Sequence, residues 1–212
     1  MSKPTLILVG GGGHCRSVID VIELEGKWAI AGIVDRMELV GQEVLGHRIT
    51  ADDTMLEQLA RAGHRFLVTA GQVKEAGLRR DLFTRIQEAG GQLATVVSPL
   101  ARVAPSAQLG AGTVVCHMAV VNSNARVGLN CIVNTGALVE HDARVGNTCH
   151  VATGAIVNGG SVVGDRTFIG SRATLVQAVR VGNDCVIGAG AVVLNNVPDG
   201  SIMVGQPARS VR

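Results

Sequence analysis

Residues 114–145 read VVCHMAVVNSNARVGLNCIVNTGALVEHDARV, and one rhythm runs through them: an aliphatic residue stands at every sixth position, at Val115, Val121, Val127, Val133, Val139 and Val145. The rhythm extends without insertion back to Val97 and forward to Val193. Four residues after each aliphatic comes a small residue, such as Ala119, Ala125, Cys131, Ala137 and Ala143, with Val179 and Val197 as exceptions. A six-residue period is a short strand plus a tight turn, the aliphatic pointing inward and the small residue fitting beside it near a corner. Glycine directly follows the aliphatic at Gly110, Gly128, Gly146, Gly164, Gly170, Gly182 and Gly188. Glycine and asparagine are expected to supply positive-φ turns. Three hexapeptides make one triangular coil, so residues eighteen apart stack, and stacking buries what one repeat cannot.

Composition agrees. The 212 residues include 28 Gly, one Trp (Trp28), three Phe and no Tyr, as a regularly stacked core of small β-branched side chains would require. A net charge of +2 without a basic run excludes the electrostatic footprint of a nucleic-acid binder. The apolar stretch from Leu6 to Val9 is too short for a signal sequence or a membrane span, so a cytoplasmic protein is expected. The five cysteines lack zinc-site spacing, so no metal is expected. Cys131, Cys149 and Cys185 fall at the small position as compact apolar fillers.

Residues 1–96 follow another pattern and form an α/β domain ahead of the β-helix at 97–212. A buried strand (Thr5–Val9), a glycine turn (Gly10–Gly13), an amphipathic helix (His14–Leu24) and a second strand (Trp28–Val34) ending at Asp35 make a Rossmann-like βαβ unit. A third strand at Phe66–Ala70 and a helix at Ala76–Ala89 complete a small parallel sheet. The glycine turn opens a helix, where free N–H groups can hold phosphate; Gly13 is expected to need positive φ and to admit its close approach. The dinucleotide fingerprint fails at Cys15, where a third glycine would be needed, which argues against a nicotinamide oxidoreductase.

The GGGGH turn with Asp20, the strand ending at Asp35, the hexapeptides, the run NTGALVEHD (Asn134–Asp142) and the closing VPDGSIMVGQPAR together resemble one family across the whole chain. It is the sialic-acid O-acetyltransferase-like group, nearest the N-acetyltransferases of UDP- or GDP-linked 4-amino-4,6-dideoxy sugars. The resemblance implies a left-handed β-helix, a homotrimer, and acetyl-CoA lying between neighbouring helices. It implies His141 as general base oriented by Asp142, and acetyl-CoA contacts at His150, Gly159, Gly188 and Ala189, with the Gly159 N–H near the thioester oxygen. It implies nucleotide-sugar contacts at Gly12, Gly13, His14, Asp35, Arg36 and Gly71; Arg36 stands where relatives carry a second Asp. The runner-up acceptor is a hydroxyl of sialic acid or a related sugar.

The residues support this chemistry independently. Amide formation from a thioester needs a base near neutral pKa and a donor for the oxyanion. His141, two places past the inward Val139, should point outward, and Glu140 and Asp142 should raise its basicity. Eighteen residues on lies Gly159, followed by Gly160, leaving a notch over the imidazole for a pantetheine arm. His117 is twenty-four residues before His141 and should occupy another face, so His117, His141 and His150 do not have the spacing of a three-histidine metalloenzyme. A scaffold that only trimerises would not need the His141–Asp142 pair. His47 and His64 are read as solvated.

Overall fold

The computed structural model describes residues 2–73 and 75–211. The N-terminal part is a six-stranded sheet built from β1 (Thr5–Val9), β2 (Ala29–Val34), β3 (Glu43–Val44), β4 (His47–Ala51), β5 (Arg65–Val68) and β6 (Gln92–Leu93). Its order is β3-β4-β2-β1-β5-β6, parallel throughout except for the β3–β4 hairpin. Helices α1 (Gly13–Glu25), α2 (Leu56–Arg61) and α3 (Gly77–Glu88) cover it. A parallel sheet covered on both faces needs apolar residues at consecutive positions, and β1 supplies them. Leu6 and Leu8 pack on α1 through Val18, Ile19 and Ile22, while Ile7 and Val9 pack with Phe66, Phe83 and Ile86. β5 stops at Val68 rather than Ala70 because Thr69 N and Ala70 N both turn to Val9 O. The β3–β4 hairpin was not foreseen; it turns on Leu45 and Gly46, both at positive φ (49° and 79°), as its two-residue turn requires.

From Val96 the chain coils into a parallel β-helix whose two-residue strands pair eighteen residues apart, Val96 with Val114, Val114 with Ile132, Ile132 with His150. Three sheets result. One face, with outward Val96, Val114 and Ile132, shares a core with α1 and β1 and carries the N-terminal domain. A second presents Val120, Leu138, Ile156, Thr174 and Val192, each half-buried, with the exposed Arg102 at its first coil, and a third presents Gln108, Arg126, Arg144, Val162 and Arg180. Inside, Val115, Val133, Val151, Ile169 and Ile187 stack with the small residues, Cys131, Cys149 and Cys185 among them. The C-terminal strand Ile202–Val204 joins the first face and is paired antiparallel by Arg209–Ser210, which covers the sheet edge.

Glycine and asparagine do supply positive-φ turns, but the glycines directly after the aliphatic act otherwise. The left-handed turn position is the third after the aliphatic, and it is filled by Gly112, Gly136, Gly154 and Gly160 but also by Met118, Asn124, Asp142, Arg166 and Ala178. The glycines directly after the aliphatic need no positive φ. They stand where one coil touches the next: a Cβ on Gly110 would lie 2.5 Å from Gly128 C, and one on Gly128 would lie 2.8 Å from Gly146 C. Gly13 likewise has open space and no positive φ; in the N-terminal turn the positive φ (105°) belongs to Gly10, where a Cβ would lie 2.8 Å from Ala70 N. Beside the glycine corner runs a side-chain ladder in which Asn147, Asp165, Asn183 and Asp199 each accept from the backbone N–H one coil below, at 2.7–2.9 Å.

These two glycine roles are separable by stability measurements. Gly128→Ala should overpack the coil contact against the Gly146 backbone and cost about 3 kcal/mol. Gly136→Ala, whose Cβ meets open space, should cost only about 1 kcal/mol for its left-handed backbone. Equal thermal midpoints for the two variants would contradict the assignment.

Candidate active site

His141 sits on the turn between the second and third faces, on the corner opposite the face that carries the N-terminal domain. Its side chain is 59% exposed and its Nδ1 meets Asp142 Oδ2 at 2.9 Å. Its backbone N–H donates to Glu140 Oε2 at 2.9 Å. The hydrogen bond to Asp142 and the nearby Asp142 and Glu140 charges raise the imidazole pKa above its ordinary 6.5, and the same bond lowers that of Asp142. With Nδ1–H committed to Asp142, the lone pair is on Nε2. Asp142 is itself held by Asn124, whose Nδ2 donates to Oδ1 at 2.6 Å. Asn124 escaped the sequence reading, although it lies eighteen residues before Asp142 and the coil period points to it.

Gly159 stacks over the ring as its spacing predicts. A Cβ there would lie 2.8 Å from both Cε1 and Nε2 of His141, so a side chain at this position would push the ring from its place. Gly160 N–H donates to His141 O at 3.0 Å and Asn158 N–H to Leu175 O at 3.3 Å. Gly188 and Ala189 lie on the other edge of the second face, directly after Val186–Ile187, with Ala189 exposed and Gly188 against Val204.

His150 is elsewhere. It lies on the domain-facing sheet at 7% exposure, its Nδ1–H donating to Gln72 O at 2.7 Å and its Nε2 accepting from Asn134 at 3.0 Å. Phe168 packs edge-on against it at 5.3 Å and the His14 ring lies 6.3 Å away. Burial pulls the His150 pKa down to about 4, helped by the Arg79 charge against the opposing hydrogen bond to Gln72 O. Burial, Arg79 and His150 together bring His14 down to about 3. Both rings are neutral at physiological pH, and His14 Nε2 is buried without a partner among the described residues.

The glycine turn, Asp35, Arg36 and Gly71 surround a cavity of about 370 Å³ at the C-terminal ends of β1, β2 and β5. Gly10 and Gly12 form one wall, Ala70 and Gly71 another; Gly13 and His14 begin α1 just behind it. Asp35 accepts from Gly11 N–H and, at 2.7 Å, from Arg36 N–H. No side chain caps α1 at Gly12, so its first N–H groups are available to an anion. Leu78, Leu82 and Arg85 also line the cavity, and Arg85 pairs with Asp53. These were missed, although their i, i+4, i+7 spacing marks one face of a helix.

The remaining histidines are structural. His117 does occupy another face, its ring bridging Ser98 Oγ and Asp20 Oδ2, both at 2.7 Å, and so tying α1 to the β-helix. His47 and His64 are not simply solvated: His47 meets Glu23 at 3.0 Å and His64 meets Thr5 Oγ1 at 2.7 Å. Among the described residues no three His, Cys, Asp or Glu side chains are grouped to hold a metal ion, and no helix is long and apolar enough to cross a membrane.

The buried histidine pair sets a pH dependence of stability. The folded pKa values lie below 6.5, so the unfolded chain binds protons that the folded chain refuses. Stability is therefore intact above pH ~6.5 and falls as the pH drops towards about 4, by up to ~1.4 kcal/mol per pH unit for each histidine. His150→Phe should flatten that slope in urea titrations between these limits; an unchanged slope would contradict it.

Comparison with known proteins accords with this arrangement. Residues 5–85 match the PglD N-terminal domain family and residues 160–195 the bacterial transferase hexapeptide family. No curated protein matches by sequence. Among solved structures, PerB from Caulobacter crescentus, in complex with CoA and GDP-perosamine, is 33% identical over 100% of this chain and 99% of its own, with a TM-score of 0.91. The acetyltransferase domain of PglB from Neisseria gonorrhoeae is 30% identical over 99% of this chain and 100% of its own, with a TM-score of 0.92. The β-helix is thus the left-handed one that the resemblance implied, and the chain belongs to the hexapeptide-repeat family of acetyl-CoA-dependent N-acetyltransferases for nucleotide-linked amino sugars.

Proposed function

We propose that the chain transfers acetyl from acetyl-CoA to the amine of a nucleotide-linked 4-amino-4,6-dideoxy sugar, with His141 Nε2 as general base. The observation that carries this reading is the His141–Asp142 pair beneath Gly159: an exposed imidazole whose tautomer is fixed and whose working nitrogen faces a notch. The sugar amine attacks the thioester carbonyl as Nε2 takes its proton, the C–S bond breaks, and the imidazolium returns the proton to the departing CoA thiolate. The Gly159 N–H, between two neighbours already engaged, is the donor for the oxyanion. The bound CoA and GDP-perosamine of the Caulobacter enzyme support both substrate classes.

The nucleotide diphosphate occupies the cavity at Gly12, on the free N–H groups of α1, with Gly13, His14, Asp35, Arg36 and Gly71 around it. Because His141 projects from the corner opposite that domain, the base serving one chain's cavity comes from a neighbouring copy. The mostly apolar second face, flanked by Gly159 on one edge and Gly188–Ala189 on the other, is the surface such a neighbour covers, with CoA between them. A homotrimer closes this head-to-tail contact. The reading places the enzyme in the cytoplasm with its co-substrate.

Thiol release from acetyl-CoA, assayed against UDP-, GDP- and dTDP-linked amino sugars and free sialic acid, tests the function; release only with sialic acid would contradict it. His141→Ala should lower kcat by ~10²–10⁴-fold with the trimer intact. Asp142→Asn should cost less. Since Asp142 raises the imidazole pKa, the rise of kcat/KM with pH should shift to lower pH in Asp142→Asn, and an unmoved profile would contradict the pairing. Gly12→Val, which meets open space in the protein itself, should fold normally and weaken nucleotide-sugar binding while sparing CoA.

A further inference from the structure

Arg79, at 1% exposure, is the largest fully buried side chain among the described residues. Among the described residues its guanidinium is held by main-chain carbonyls: Nη1 donates to Val68 O and to Ala70 O, each at 2.8 Å, and Nε donates to Asn130 O at 3.0 Å. Asn130 returns a bond from Nδ2 to Arg79 O at 3.3 Å. Burial disfavours the charge and pulls the pKa down to about 10, which still leaves the group protonated at neutral pH. An apolar side chain of similar volume would fill the space without that penalty. What the guanidinium adds is a rigid fork with fixed donor directions.

Two of those bonds converge on one segment. Val68 ends β5, and Thr69 donates from Oγ1 to Gly10 O at 2.6 Å, in the glycine turn. Ala70 and Gly71 are a wall of the cavity, and Gln72 O receives the Nδ1–H of His150 from the β-helix. Asn130, the third carbonyl, lies on a β-helix turn at 0% exposure. Residues 68–72 are therefore pinned between the glycine turn, α3 and the β-helix: His150 and the Gln72 side chain, which donates to Arg166 O at 3.5 Å, hold the Gln72 end, and Arg79 grips the Val68–Ala70 end against Asn130.

We propose that Arg79 is a positioning residue for nucleotide-sugar binding: by gripping Val68, Ala70 and Asn130 together, it sets the Gly71 wall of the cavity against the β-helix. The proposal rests on the cavity being the nucleotide-sugar site. A side chain that merely filled the core would, when replaced, lower stability and leave the affinities of the folded protein unchanged. A positioning residue alters one affinity and not the other. Lysine keeps the charge but, as a point donor on a flexible stem, cannot reproduce the fork.

The test uses the full chain as Arg79→Lys and Arg79→Met, titrated by calorimetry with GDP, with UDP and separately with CoA, each corrected for the folded fraction. The nucleoside diphosphate that the parent protein binds should weaken roughly ten- to a hundredfold in either variant, with CoA affinity unchanged. Parental nucleoside-diphosphate affinity in the folded variants, or equal losses for the diphosphate and CoA, would overturn the role. If Arg79→Met does not fold, Arg79→Lys alone decides. Gly12→Val, measured alongside, separates the two failures. If it weakens the diphosphate while the Arg79 variants do not, the positioning role alone falls; if it binds like the parent, the cavity assignment falls and the positioning role with it.

Discussion

Everything in the C-terminal half depends on one hydrogen-bonded register, in which each two-residue strand donates to and accepts from the strand one coil away. Val114 N–H reaches Cys131 O, Ile132 N–H reaches Cys149 O, and His150 N–H reaches Thr167 O, at 2.9–3.1 Å. A shift of one residue would turn the inward aliphatics outward on all three faces. The same register decides what stands over what: glycine over glycine at one corner, Asn and Asp over each other beside it, and at another corner Asn124, Asp142 and His141, and Gly159. The site is thus a local consequence of the stacking that stabilises the fold.

The second constraint is the junction between domains. Helix α1 is buried on one side by the sheet and on the other by the outward residues of the first coils, so the two parts share a core. Around that core the junction is polar and closely specified: His117 bridges Asp20 and Ser98, His150 bonds Gln72 and Asn134, and Arg79 reaches Asn130. This fixes the cavity on one face and leaves His141 on the opposite corner. On the proposed reading the cavity and the base of one chain face apart, and a rotational assembly is what would bring the half from one copy against the half from the next.

The sequence carried much of this because the hexapeptide is periodic. A strict six-residue rhythm gives the coil, the coil gives the eighteen-residue stack, and the stack places Gly159 on His141 without any knowledge of coordinates. What escaped lies where periodicity stops. The β3–β4 hairpin turns on Leu45 at positive φ, a residue type that gives no turn signal. Arg79 reads as one more charged residue on an amphipathic helix, and its burial follows only from the docking of two domains. The place of His150 just before Val151 allows a packed interface position, but what packs on it follows only once the N-terminal domain is laid over its face. The role of the post-aliphatic glycines was misread for a related reason: glycine permits both a positive φ and a close approach, and sequence alone does not separate the two.

The most direct measurement of the account is subunit complementation. His141→Ala chains retain the cavity and lack the base; Gly12→Val chains retain the base and lack a usable cavity. Co-expressed and purified as mixed trimers, the two variant chains should recover activity at about a third of the parental sites, one of the three interfaces in each mixed ring. Mixed trimers that form but stay inactive would show that base and cavity must belong to the same chain, and would contradict the site as assembled here.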